Sequence, residues 1–242
     1  MNDSRRVFLK TVTAAASLAA IPLAAREAAR AQGSMKIGVI GSGRVGGTVG
    51  AHWVKAGHEV LFSARNLDEV KKLAASLGPR ARAGTPQEAA AFGEVILISV
   101  PYSALPQLGR DLAGPLKGKV VLDTCNPIVG RDGEMAAAAR AKGTGVASVE
   151  YLPGVRLVRA FTSVPASALR TEAHRAGERV AIALAADDEA ALQIARRLVE
   201  DAGFEPVVVG PLARAKDFDV GTAAFGKALT ARELRRVLGI GS

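Results

Sequence analysis

Gly41-Ser42-Gly43-Arg44-Val45-Gly46 sets three glycines at the spacing G-x-G-x-x-G. In that pattern Gly41 permits a tight turn, Gly43 lets the backbone approach an anion, and Gly46 allows a helix to pack closely on a strand. The free N–H groups and the dipole of a helix beginning there would hold a pyrophosphate, with Ser42, Arg44 and Val45 in the same loop. Roughly 20 residues further on, dinucleotide sites for NAD carry a carboxylate for the ribose 2′-hydroxyl. Here that stretch is Phe62-Ser63-Ala64-Arg65-Asn66, without one. A guanidinium and a hydroxyl suit a 2′-phosphate instead, Arg65 as a charge-assisted clamp and Ser63 as a donor. The implied cofactor is NADP(H).

Such a loop needs a strand before it and a helix after it. Met35 to Gly41 reads as a buried strand, and Arg44 to Gly57 as a helix with Val45, Val49 and Trp53 at helical spacing. Glu59 to Phe62 reads as a strand, Leu67 to Leu77 as a helix and Arg80 to Ala83 as a short third strand. Thr85-Pro86 opens a helix, the threonine as N-cap and the proline at its first position. The apolar run Val95 to Val100 suits a central parallel strand, and Val120 to Leu122 repeats the theme before Asp123. Leu157 to Phe161, Val180 to Ala185 and Pro206 to Val209 follow as strands; Asp188 to Ala202 and the tail from Phe225 to Val237 read as helices.

This alternation predicts an α/β protein with a doubly wound parallel sheet, the NAD(P)-binding Rossmann fold, and a short C-terminal α/β extension. Residues 35–242 form the one domain. Ligands in such sheets bind at the carboxyl ends of the strands, which brings Val100, Pro101, Asn126 and Phe161 forward as candidates. Asn126-Pro127 reads equally well as a simple turn.

The remaining chemistry is sparse. A single cysteine, Cys125, and three histidines exclude an internal disulfide framework and a Cys-rich metal site, and no metal is expected. His58 stands at a helix-to-strand corner and reads as structural, His52 lies on the first helix, and His174 lies in the polar stretch Arg170 to Glu178, a loop or frayed helix; none is given a catalytic role. Cys125 reads as core filling ahead of a reactive thiol near the ligand crevice, and Tyr102 and Tyr151 as packing residues ahead of ligand contacts. There is no Tyr-x-x-x-Lys pair and no Ser/His/Asp set, so no residue is assigned a catalytic role. Aromatic residues make up 4% of the chain, too few for a nucleic-acid stacking surface. The net charge is +9, but residues 1–31 hold five basic and two acidic side chains; without them it is +6. That suits a small anionic ligand, and no dense basic run marks a nucleic-acid face.

Residues 1–31 read as an address. Ser4-Arg5-Arg6-Val7-Phe8-Leu9-Lys10 precedes an uncharged, Ala-rich stretch from Thr11 to Ala25 and the small-x-small pattern Ala29-Arg30-Ala31. The paired arginines resemble a twin-arginine (Tat) export signal. The expectation is export by the Tat machinery to the periplasm and cleavage. No stable membrane span would remain, since the apolar stretch falls short of the roughly 20 residues that cross a bilayer.

Met35–Asn66 resembles the F420-dependent NADP oxidoreductase family, whose Rossmann domain is similar to that of the STEAP metalloreductases. Later segments carry the same resemblance: Ser99-Val100-Pro101-Tyr102, Asp123-Thr124-Cys125-Asn126-Pro127, Arg159-Ala160-Phe161-Thr162, Ala186-Asp187-Asp188-Glu189, Gly203-Phe204 and Gly210-Pro211-Leu212. It spans Met35 to Leu238. Thr162 departs from it, where relatives usually carry asparagine, and so does Cys125. The resemblance implies hydride transfer between NADP(H) and coenzyme F420, a flavin or another planar redox acceptor, with the protein supplying position and electrostatics. It places Pro101 backbone near the nicotinamide and Asn126 at the ring site, and it implies a homodimer. Two alternatives stand beside it: a non-catalytic NADP(H)-binding protein or redox subunit, and an imine or carbonyl reductase related to pyrroline-carboxylate reductases.

Overall fold

A computed structural model describes residues 33–241, and the export signal read in residues 1–31 lies outside the described residues. The chain builds β1 (Lys36–Ile40), α1 (Arg44–Ala56), β2 (Glu59–Ser63), α2 (Leu67–Leu77), β3 (Ala81–Gly84), α3 (Pro86–Phe92) and β4 (Val95–Ile98). After a short 3-10 turn come α4 (Leu105–Asp111), α5 (Ala113–Leu116), β5 (Val120–Asp123), α6 (Val129–Lys142), α7 (Thr144–Tyr151), β6 (Arg156–Arg159) and α8 (Ala166–Thr171). β7 (Ala181–Ala186), α9 (Glu189–Asp201), β8 (Glu205–Gly210) and α10 (Ala231–Leu238) complete it.

All eight described strands form one sheet in the order β3-β2-β1-β4-β5-β6-β7-β8. Side chains alternate across it, so each strand feeds two cores. Ile37, Val39, Phe62 and Leu97 face α1, α2, α8 and α9; Ile40, Leu61, Ile96 and Ile98 face α3, α4 and α7. Trp53 on α1 is wholly buried, and its indole N–H donates to the Leu198 carbonyl on α9 at 2.7 Å, which locks the first helix to the last long one.

Several sequence readings meet a different structure. The sheet is mostly parallel, but β6 and β7 are antiparallel. After β6 the chain passes through α8 and re-enters the sheet at the same end, with no crossover helix to reverse it. Only Val158↔Ala186 and Arg159↔Ala185 pair there. Ala181–Leu184 therefore overhang the last residue of β6 by roughly 13 Å at the usual strand rise. The tail helix begins at Ala231, where Thr230 and Glu233 form a capping box, while Gly221 and Gly226 take positive φ in the loop before it. The helices α4 to α7 carry no reading in the sequence analysis.

Candidate functional site

The phosphate loop follows β1 directly. Gly41 has φ +97°, and its N–H and that of Ser42 both donate to the Ser63 carbonyl, at 2.9 and 3.0 Å. A Cβ on Gly41 would lie 2.2 Å from the Ser99 carbonyl oxygen, and one on Gly46 2.2 Å from that of Gly41. Those two glycines are required by the protein's own packing. Gly43 is different: a Cβ there meets nothing within 4 Å, and its φ of −76° is open to any residue. The bare backbone at Gly43 faces open space at the N-cap of α1, whose first turn carries no acidic residue. A helix N-terminus of this kind is suited to an anion.

Arg44 and Arg65 are both exposed, and neither forms an ion pair with a described residue. Arg65 leaves the end of β2 just before Asn66, whose side chain caps α2 by accepting the Glu69 N–H. Ser63 is a correction. It is fully buried, and its hydroxyl donates to the Val39 carbonyl at 2.9 Å, so it clamps β2 to β1 and is turned away from any 2′-phosphate. Ser63 is the last residue of β2 and is held in the sheet, whereas Arg65 lies beyond the strand end and is exposed.

The ring end of the site lies past β5 and β6. A cavity of about 250 Å³ is lined by Val45, Asn126, Phe161, Thr162 and Phe225 among others, none of the lining residues ionisable. The Asn126 amide N–H donates to the Thr162 carbonyl at 2.8 Å. Its Oδ1 and the Thr162 hydroxyl are buried without a partner. Phe161 holds φ +56°, a conformation costing on the order of 1–3 kcal/mol in a side-chain-bearing residue. Edge-to-face contacts with Trp53 and Phe204, both at 6.2 Å, supply roughly 0.5–1.5 kcal/mol each and balance that strain. Val100 is half-buried and abuts Gly41, and its N–H donates to the Cys125 thiol at 3.4 Å. Pro101 is exposed where the 3-10 turn begins. Neither lines the cavity with Asn126.

Behind Asn126 sits a buried ion network that the sequence analysis missed. Arg159, fully buried, donates to Asp123 Oδ2 at 2.7 Å, to the Cys125 carbonyl at 2.8 Å and to Asp219 Oδ1 at 3.4 Å. Burial works against its charge, but the two carboxylates outweigh burial and push its pKa upward. Asp219 in turn accepts the Thr144 N–H at the start of α7 and begins the turn that leads to Phe225. The Gly226 N–H then donates to the Ser163 carbonyl at 2.7 Å. One guanidinium thus fixes three segments that surround the cavity.

Asp132 ties together the 3-10 turn after β4 and the start of α6. It accepts from the Ser103 N–H and hydroxyl at 3.2 and 3.0 Å, from the Ile128 N–H at 3.0 Å, and from Arg131. Burial opposes its ionisation, yet these donors prevail and hold its carboxyl at about 2. Arg131 also donates to the Asn126 carbonyl at 2.7 Å.

The other sequence candidates are structural. His58 accepts the Met35 N–H at Nδ1 and bonds Asp201 through Nε2, both at 3.0 Å. His52 bonds the Leu169 carbonyl at 2.9 Å. Burial lowers the pKa of both rings. Tyr102 is buried, 3.3 Å from the Ser148 hydroxyl and edge-to-face with Tyr151. Burial and the neighbouring Asp123 push the Cys125 thiol well up, so it packs and does not react. No group of three His, Cys, Asp or Glu able to hold a metal occurs among the described residues.

A strand, a glycine loop at a helix N-terminus, and a cavity at the carboxyl ends of neighbouring strands define a Rossmann dinucleotide-binding protein. The family described as NADP oxidoreductase, coenzyme F420-dependent, matches residues 36–127, from β1 to the turn after β5. The chain is 28% identical over 209 residues to metalloreductase STEAP3 of Rattus norvegicus, covering 82% of this chain and spanning 40% of that relative's length. The fold is shared with hypothetical protein SMa0349 of Sinorhizobium meliloti, with a TM-score of 0.71 and 20% identity over 82% of this chain and 97% of that one. It is shared too with a protein of Arthrobacter sp. FB24 provisionally designated an F420-dependent NADP-reductase, with a TM-score of 0.60 and 20% identity over 81% of this chain and 100% of that one.

Proposed function

We propose that this chain passes a hydride between NADP(H) and a planar acceptor ring of the deazaflavin or flavin class. The observation that carries the reading is the contrast among three glycines. Gly41 and Gly46 are bare because protein atoms crowd them, and Gly43 is bare beside open space. Backbone N–H groups at that point would take the pyrophosphate, and the unpaired Arg44 and Arg65 would take the charge of a 2′-phosphate. The partnerless Asn126 Oδ1 and Thr162 hydroxyl fit a bound ring in the adjoining cavity.

When bound, the nicotinamide supplies the hydride chemistry. The chain's own residues hold the loop and fix the walls of the cavity. Reduction of a carbonyl or imine needs a proton delivered to oxygen or nitrogen, and the cavity lining offers no ionisable side chain. An acceptor ring that delocalises its own charge has no such need, which favours the planar acceptor.

Titration with NADPH and NADH, followed by NADPH oxidation with deazaflavin, FMN, FAD and ferric chelates, tests this reading. NADPH preference and turnover with a ring acceptor are expected. In Gly43→Val the melting temperature should hold while binding of both dinucleotides is lost. A folded wild-type chain that binds neither dinucleotide, or a Gly43→Val chain that binds as wild type does, overturns the reading.

The Arg5-Arg6 pair and the stretch after it support a second part of the proposal, export of the folded, loaded protein through the twin-arginine machinery to the periplasm. Replacing both arginines by lysine should leave the protein in the cytoplasm on cell fractionation. Unchanged export would end that part.

A further inference from the structure

We propose that Asn126 and Thr162 form a reading pair for an amide edge, an N–H donor beside a carbonyl acceptor, on the ring that enters the cavity. The inference rests on the reading of this cavity as the ring end of an NADP(H) site and adds the chemistry by which the ring is recognised. The Asn126 amide orientation is settled by its neighbour: Nδ2 donates to the Thr162 carbonyl at 2.8 Å, and the flipped amide would set two oxygens against each other. Oδ1 is then left as a pure acceptor, buried and without a partner. The Thr162 hydroxyl, on a residue 3% exposed, is also without a partner and supplies a donor.

Both residues line the same cavity, together with Val45 from the first turn of the helix that follows the phosphate loop. Its volume of about 250 Å³ is smaller than the roughly 300–1,000 Å³ of a site for a whole drug-sized ligand, so it takes one end of a molecule. A carboxylate offers only acceptors and would leave Oδ1 unmet. A hydrocarbon edge would leave both atoms unmet. A carboxamide or a ring lactam satisfies both at once. Nicotinamide carries the first, and a flavin or deazaflavin carries the second.

Thr162→Val separates this role from a structural one. The hydroxyl makes no bond within the protein, so its removal should leave the melting temperature unchanged or raised. The affinity for NADP⁺ should fall about tenfold, equivalent to about 1.4 kcal/mol, while 2′-phospho-ADP-ribose, which lacks the ring, binds as before. The 3-acetylpyridine analogue of NADP⁺, which has lost the amide N–H, should bind the wild-type chain about tenfold more weakly than NADP⁺. If NADP⁺ binding holds but the variant loses affinity for FMN or deazaflavin, and N3-methylation of the flavin costs the wild type the same, the acceptor's lactam is the occupant and the amide-edge assignment stands. Unchanged affinity for every ring ligand, with 2′-phospho-ADP-ribose still bound, overturns the assignment and leaves the dinucleotide site intact. Loss of stability in Thr162→Val overturns it as well, because the hydroxyl would then be structural. Failure of the wild-type chain to bind 2′-phospho-ADP-ribose and NADP⁺ alike removes the dinucleotide reading first and this assignment with it.

Discussion

Replacing Arg159 by methionine keeps the length of the side chain and removes its charge. Two buried carboxylates, Asp123 and Asp219, then lose the guanidinium at 2.7 and 3.4 Å, and the Cys125 carbonyl loses its donor. Breaking a buried ion pair by deleting one partner costs about 3–5 kcal/mol, because the remaining charge is stranded away from water. For a domain of this size each kcal/mol lowers the melting temperature by about 2–4 °C, so a fall of roughly 6–20 °C is expected. The deficit must also depend on pH. A stranded carboxylate is penalised only while ionised, so the folded variant takes up a proton more readily than its unfolded chain. Its relative stability is then greatest at low pH and is lost as pH rises. Urea unfolding of both proteins between pH 4.5 and pH 8 reads the difference directly. A deficit below about 1 kcal/mol would show that the network contributes little. A larger deficit that stays flat across the range would show that lost packing, not stranded charge, is the cause.

Arg65→Ala should weaken NADPH binding about tenfold or more and leave NADH nearly untouched; equal losses would reject the 2′-phosphate assignment. Burial lowers the pKa of His52 and His58 below their ordinary value of 6.5. The unfolded chain binds the extra protons, so their contribution is fully present above about pH 6.5 and is lost as pH falls below it, by at most about 1.4 kcal/mol per pH unit for each ring. His58→Gln should make that slope shallower, and a flat urea-unfolding profile between pH 5 and 7 would refute the argument. Cys125, 1% exposed, should react with a thiol reagent only at the rate of unfolding. Rapid labelling of the native protein would place the thiol at an accessible surface.

The sequence was most legible where structure is local. The glycine loop, α1 and the Thr85 N-cap with Pro86 behind it are each decided within a few residues, and the structure has all three. The run from Val95 announces its strand because both faces of β4 are buried. Where distant partners decide, sequence reasoning failed for identifiable reasons. The strand read at Leu157 to Phe161 gives Arg159 no role of its own, yet Arg159 is buried by carboxylates 36 and 60 residues away. Ser63 has the right chemistry for a phosphate, but it is buried and its hydroxyl donates to the Val39 carbonyl on the neighbouring strand. Thr162 stood out only as a departure from the family pattern, and its significance depends on what its hydroxyl does not touch. The helices α6 and α7 are poorly amphipathic, with Gly130, Gly133 and Gly145 among their residues, and α6 kinks at Gly133. No residue type foretells the antiparallel β7, because its direction follows from where the chain re-enters the sheet.

The overhang of β7 gives the molecule an order of birth. Beyond the end of β6 the strand loses its neighbour, and the loop that runs from Asp219 to Thr230 lies alongside it, through the Ala181 N–H to Leu229 and the bridge from Val180 to Thr230. That same loop brings Phe225 and Gly226 to the cavity. The phosphate loop is made early in translation and the far wall of the cavity late. A nascent chain can therefore display an anion cradle long before it has a closed place for a ring, and a dinucleotide met during synthesis would be held by its phosphates alone. On the proposed reading, the wall that would enclose a ring is complete only once the last strand and the loop behind it are in place.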